Sequence, residues 1–146
     1  MKFYDRERET TELLRIRQLT IDDSSRMTLV TGRRRIGKTT LIQRTYANTA
    51  MVYLYVKRRN EKELVQTFCE AIRSQMDMFI PNGIANFTDL LRLLLEYSKQ
   101  HPFTLVLDEF QEFVHVNTGI FQDMQELWDT YHTETHLNLI ISGSAY

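Results

Sequence analysis

The chain has 146 residues, 42% hydrophobic and 25% charged, with 5 Gly and 2 Pro; this suits one globular domain and excludes a disordered, collagen-like or linker polypeptide. No apolar run approaches the roughly 18 residues of a membrane span, the charged N-terminus does not read as a signal peptide, and a lone cysteine, Cys69, forbids an internal disulfide, so a cytoplasmic protein is expected. The net charge of −1 hides a split, with 16 Lys/Arg against 9 Asp/Glu in residues 1–73 and 2 against 10 in residues 74–146: either a surface for nucleic acid or another acidic partner, or two halves that interleave in one domain.

Residues 5–19 are charged and free of Gly and Pro, which predicts a surface helix with a thin apolar stripe at Leu13, Ile16 and Leu19. A polar loop over 20–26 precedes a short buried strand, 27–31, that runs into Gly32. Residues 38–47 are good helix material. The stretch MVYLYV (51–56) is β-branched and aromatic, a second strand. Leu64, Phe68, Ile72 and Met76 then recur every four residues, the face of a helix over 61–78. Pro81-Asn82-Gly83 is turn chemistry. Asn86, with Asp89 three residues on, caps a helix whose apolar face is Phe87, Leu91, Leu94 and Leu95. Pro102 stops it. FTLVL (103–107) is a third strand, Phe121, Met124, Trp128 and Tyr131 mark a further helix face, and 137–141 is a fourth strand ending at Ser142-Gly143-Ser144. Strands that alternate with helices and read as continuous apolar runs predict an α/β three-layer sandwich around a mostly parallel sheet.

Gly32-Arg33-Arg34-Arg35-Ile36-Gly37-Lys38-Thr39 matches G-x-x-x-x-G-K-[ST] at every fixed position, followed by Thr40. The spacing has a physical reason. Between a strand and a helix the backbone must curl so that successive N–H groups converge on phosphate oxygens, and glycine permits the curl. The helix that begins near Lys38 adds unpaired N–H groups and the positive end of its dipole. Lys38 can reach the outer phosphates, and the Thr39 hydroxyl can ligate Mg²⁺.

The strand FTLVL ends in two acids, Asp108 and Glu109. The C-terminal ends of parallel strands are where such sheets bind ligands. Asp108 suits the Mg²⁺ ion through water, and Glu109 suits the activation of an attacking water. A small-molecule kinase has no need of the second acid, so the pair favours hydrolysis. At the tip of the fourth strand Ser142, or else Ser144, offers a hydroxyl to the terminal phosphate or to the attacking water.

Other features are set aside. His132 and His136 stand four apart, but Thr133 takes the place of the zincin glutamate and no third ligand is evident. Arg33, Arg34 and Arg35 are a basic loop rim that attracts a polyanion. Lys57-Arg58-Arg59 reads as a solvated strand end, and Cys69 beside an apolar helix face reads as inert.

Four segments together, FYDRERE at 3–9, GRRRIGKTTLI, LVLDEFQEF and the closing LIISGS, resemble the archaeal-type P-loop ATPases of the STAND branch, relatives of the AAA+ proteins. The resemblance implies a P-loop NTPase core, with Lys38 and Thr39 as the Walker A pair. It makes Asp108 and Glu109 the Walker B pair, Ser142 or Ser144 a sensor-1-like residue, and places 3–9 near the adenine. Relatives continue into a fifth strand, a helical lid and a C-terminal region, so residues 1–146 are expected to be an incomplete ATPase domain. Its P-loop strand would lie beside the fourth strand with its other flank unpaired, which predicts either self-association along that edge or poorly ordered surroundings of the last strand.

The expected activity is Mg²⁺-dependent binding and hydrolysis of ATP, with Lys38, Glu109 and Ser142 catalytic, residues 32–40 binding nucleotide, and Thr39 and Asp108 holding metal. Alternatives are a nucleotide-gated switch with slow turnover and a DNA-associated ATPase module. No N-K-x-D guanine motif is present, and the resemblance also favours adenine.

Overall fold

The computed structural model describes residues 3–32 and 37–144, and the expected nucleotide contacts of Arg33, Arg34, Arg35 and Ile36 lie outside them. Element order is α1 (Phe3–Asp22), β1 (Arg26–Gly32), α2 (Lys38–Thr45), β2 (Met51–Tyr55), α3 (Glu61–Gln75), α4 (Phe87–Ser98), β3 (Phe103–Asp108), a 3-10 helix (Phe110–His115), α5 (Ile120–Tyr131), a 3-10 turn (His132–Glu134) and β4 (Leu137–Ser144). The strands form one parallel sheet in the order β1-β4-β3-β2. This is the predicted α/β sandwich.

Alternation along each strand divides the side chains between two faces. On one face Leu13 of α1 and Leu41, Ile42 and Tyr46 of α2 and the turn after it pack on Val106 and Ile140. On the other face α3, α4 and α5 cover Leu105, Leu107, Leu139 and Ile141. All six residues of β3 are buried, as expected of a central strand covered on both sides.

Local rules account for the helix starts. Asn60 and Asn86 accept from the amides of Glu63 and Asp89, each at 2.8 Å, so both N-caps satisfy a donor that the helix leaves open. Leu64, Phe68 and Ile72 are buried as predicted, but α3 ends at Gln75, and Met76 lies just past it. Helix α1 runs on to Asp22 through residues read as loop, because Thr20 turns its hydroxyl back to the carbonyl of Ile16 at 3.0 Å instead of breaking the helix.

The strand order also resolves the charge split. Strands of the basic half, β1 and β2, flank strands of the acidic half, β3 and β4, so the halves interleave, and Arg58 pairs with Glu112 across them. Strand β1 is an edge, and no strand pairs its outer flank among the described residues. Among those residues no helix is long and apolar enough to cross a membrane.

Candidate functional site

The parallel sheet brings the C-terminal ends of β1, β3 and β4 to one rim, where Lys38, Thr39, Asp108, Glu109 and Ser142 lie among the described residues. Gly32 ends β1, and α2 begins at Lys38 behind Gly37, whose φ of 79° is left-handed. Glycine alone holds that conformation at little cost. The first turn closes with the Leu41 amide on the Gly37 carbonyl at 2.9 Å. Lys38 is buried at 8% exposure, Thr39 is half-buried and Thr40 exposed.

Asp108 ends β3 and is 4% exposed. Thr39 donates its hydroxyl to Asp108 Oδ2 at 3.0 Å, joining residues 69 apart. The Glu109 amide donates to Oδ1 at 2.9 Å. A third donor went unforeseen: the Tyr53 hydroxyl also binds Oδ2. Burial, reinforced by this bond to a carboxylate, pushes the Tyr53 phenol above its ordinary range, so Tyr53 stays a donor.

Glu109 follows with φ 55° and ψ 43°, alone among the described non-glycine residues in having positive φ. Such geometry costs about 1–3 kcal/mol and persists where the surroundings over-determine it. The turn it makes starts the 3-10 helix, and the Glu112 amide returns to the Glu109 carbonyl at 3.0 Å. The carboxylate is 8% exposed and accepts from Gln111 Nε2.

Ser142 lies at the β4 tip, level with Val30 of β1. It is fully buried, and its hydroxyl has no hydrogen-bond partner among the described residues. A buried polar atom in that condition calls for an explanation. The Ser144 side chain lies outside the described set. Between α1 and β1 a cavity of about 470 Å³ is lined by residues that include Arg8, Glu9, Leu13 and Lys38, so it joins the start of α2 to the N-terminal helix.

The two histidines do not converge: His132 Nδ1 bonds the Trp128 carbonyl and His136 Nδ1 the Thr20 carbonyl, each at 2.9 Å. Cys69 is buried, and burial raises its thiol pKa, as suits an inert thiol. Among the described residues no group of three or more His, Cys, Asp or Glu could cage a metal. The donors that do meet, a threonine hydroxyl and one carboxylate, are the hard and sparse set that suits Mg²⁺, which keeps waters and takes substrate phosphates as ligands.

Tyr53, Gln111 and Gly143 were missed. MVYLY reads as an apolar strand, and nothing local says that the Tyr53 hydroxyl meets an acid 55 residues away. Gln111 and Gly143 meet only because β4 lies beside β3. The polar tip of a tyrosine inside a core strand was the one available signal.

Comparison with known proteins fits this geometry. An uncharacterised protein of Methanocaldococcus jannaschii is 33% identical over 67 residues, 46% of this chain and 65% of that one. Two solved structures share the fold. The Walker-type ATPase of Pyrococcus abyssi superposes with a TM-score of 0.70 at 18% identity, over 97% of this chain and 45% of that one. The Cdc6p protein of Pyrobaculum aerophilum gives 0.59 at 19%, over 96% and 39%. The chain thus spans less than half the length of either solved structure and about two thirds of the M. jannaschii relative. A family model for an ATPase domain predominantly from Archaea matches residues 3–145, and with the phosphate-loop helix, the buried Asp108 and its threonine partner in place, the chain belongs to that family.

Proposed function

We propose that this domain binds ATP with Mg²⁺ at the rim formed by β1, β3 and β4, and hydrolyses it. The observation that carries the reading is the meeting of Thr39 and Asp108 at 3.0 Å beside the start of α2. A hydroxyl and a carboxylate side by side at a helix N-terminus suit a nucleotide-bound cation.

In this reading Lys38 and the first amides of α2 bind phosphate oxygens, and Thr39 and Asp108 hold Mg²⁺. When bound, the ion neutralises charge on the phosphates. Glu109 takes the proton of a water whose oxygen bonds to the terminal phosphorus as the bond to the ADP oxygen breaks. Ser142 donates its unpartnered hydroxyl to the terminal phosphate. The cavity beside α1 receives the adenine and ribose. Direct titration with ATP tests the assignment: Lys38→Ala is expected to weaken binding about tenfold to a hundredfold, the worth of a charge-assisted contact. Unchanged affinity would remove the site from this loop.

One observation favours a second reading, a nucleotide-gated switch with slow turnover: Gln111 already holds Glu109, so the base is engaged before any water arrives. Slow single-turnover hydrolysis, with self-association that follows the bound nucleotide, would select it. Self-association is placed at the β1 edge, where Met27 and Leu29 are exposed.

A further inference from the structure

Tyr53 stands on β2 level with Val106 of β3, and Asp108 is level with Tyr55. Tyr53 and Asp108 are thus diagonal neighbours on one face, a separation a long aromatic side chain can cross. Its ring packs against the small core under α1 and α2, and its hydroxyl reaches Asp108 Oδ2. The backbone of the same residue is gripped from outside the sheet. The Tyr53 amide donates to Gln75 Oε1 at 2.7 Å, and Gln75 Nε2 donates to the Tyr53 carbonyl at 3.1 Å. The Gln75 amide takes the place of a neighbouring strand on this edge of the sheet, so Tyr53 is fixed at both its backbone and its tip.

We propose that Tyr53 is a positioning residue for the metal-binding carboxylate: clamped by Gln75 and donating to Asp108 Oδ2, it fixes the rotamer in which Asp108 faces the cation. The inference rests on the reading that Thr39 and Asp108 hold Mg²⁺. Oδ2 takes two hydroxyl donors, Tyr53 and Thr39, and Oδ1 takes the Glu109 amide. The Thr39 oxygen can offer a lone pair to a cation while its proton stays on Asp108. Tyr53 has no such second duty. Oδ2 thus carries two hydroxyl donors, while Oδ1, with the Glu109 amide, keeps a lone pair that a metal-bound water can use. Groups that orient metal ligands in this way are typically worth 10- to 100-fold in metal affinity.

The experiment measures ADP affinity by calorimetry in EDTA and in Mg²⁺, and Mn²⁺ affinity of the ADP complex by electron paramagnetic resonance, on the whole chain. Tyr53→Phe keeps the ring in its core, so the fold is retained. It is expected to weaken Mn²⁺ binding about tenfold or more while leaving ADP affinity in EDTA unchanged. In an Asp108→Asn background the added Tyr53→Phe change is expected to cost nothing further, since the hydroxyl acts through that carboxylate. Equal losses with and without metal, an unchanged Mn²⁺ affinity, or additive effects in the double variant would overturn the proposal. Thr39→Ala and Asp108→Asn separate this from the parent reading. If they abolish metal dependence and Tyr53→Phe does not, only the role of Tyr53 falls; if neither alters it, the cation site itself is misassigned and both fall.

Discussion

Gln111 closes over Gly143: a Cβ added at Gly143 would lie 2.7 Å from Gln111 Oε1, while the amide nitrogen of the same side chain donates to Glu109. The tip of β4 and the acid after β3 are therefore linked through one glutamine. Its oxygen is itself buried with no hydrogen-bond partner among the described residues, which leaves Gln111 anchored chiefly by Glu109.

Gly143→Ala is expected to push the far end of Gln111 away and break its bond to Glu109. Because the obstructing atom ends a flexible side chain, the melting temperature should change little. If the contact restrains the base, turnover rises by about tenfold, the worth of one hydrogen bond to a charged group, and Gln111→Ala does the same. Steady-state ATPase rates check this; a fall in both variants would mean that Gln111 assists Glu109.

Glu109 combines a strained backbone with a catalytic assignment, so two substitutions separate its roles. Glu109→Gln is expected to lower kcat by about 10²- to 10⁴-fold with ATP affinity retained. Glu109→Gly loses the same activity yet gains about 1 kcal/mol of stability, because glycine adopts φ 55° without strain. Thermal denaturation beside ATPase assays reads both effects, and a melting temperature that falls in Glu109→Gly would show that the side-chain contacts outweigh the strain.

Phe113 anchors the segment behind the site. It is fully buried, with ring centroids 4.8 Å from Phe87, 5.4 Å from Phe110 and 6.4 Å from Phe68. Phe113→Ala is expected to cost about 3–5 kcal/mol, measured by urea denaturation. A loss under about 1 kcal/mol would mean that the core closes over the gap.

The β1 edge is tested by concentration-dependent sedimentation. Leu29, 67% exposed, lies on this edge beside an apolar groove of about 740 Å³ that Phe110, Val114, Phe121 and Ile141 also line. Leu29→Lys is expected to shift the protein toward monomer, since charge on an edge strand opposes pairing. A wild-type chain that stays monomeric at high concentration would reject self-association through this edge.

Much of the candidate site is legible in sequence because its motifs are local. Gly37, Lys38 and Thr39 declare themselves by spacing, since a phosphate cradle demands glycine at a turn and a helix start directly after it. Asp108 and Glu109 were legible as polar residues at the end of an apolar run, and Asn86 as a cap three residues before Asp89. Helix ends at Asp22 and Gln75 were less so, because a threonine hydroxyl bonding back to its own helix and a methionine just past the last turn look alike in sequence.

Sequence by itself determined the alternation of strands and helices, the glycine-lysine-threonine start of α2 and the paired acids after β3, each of which rests on residues within a few positions of one another. Only the tertiary structure decided that β4 lies between β1 and β3, that the basic and acidic halves interleave, that Tyr53 reaches Asp108 while Gln75 grips its backbone, and that Gln111 closes over Gly143. Those contacts join residues more than twenty positions apart, and parallel pairing through crossover helices leaves no local trace of which strands become neighbours.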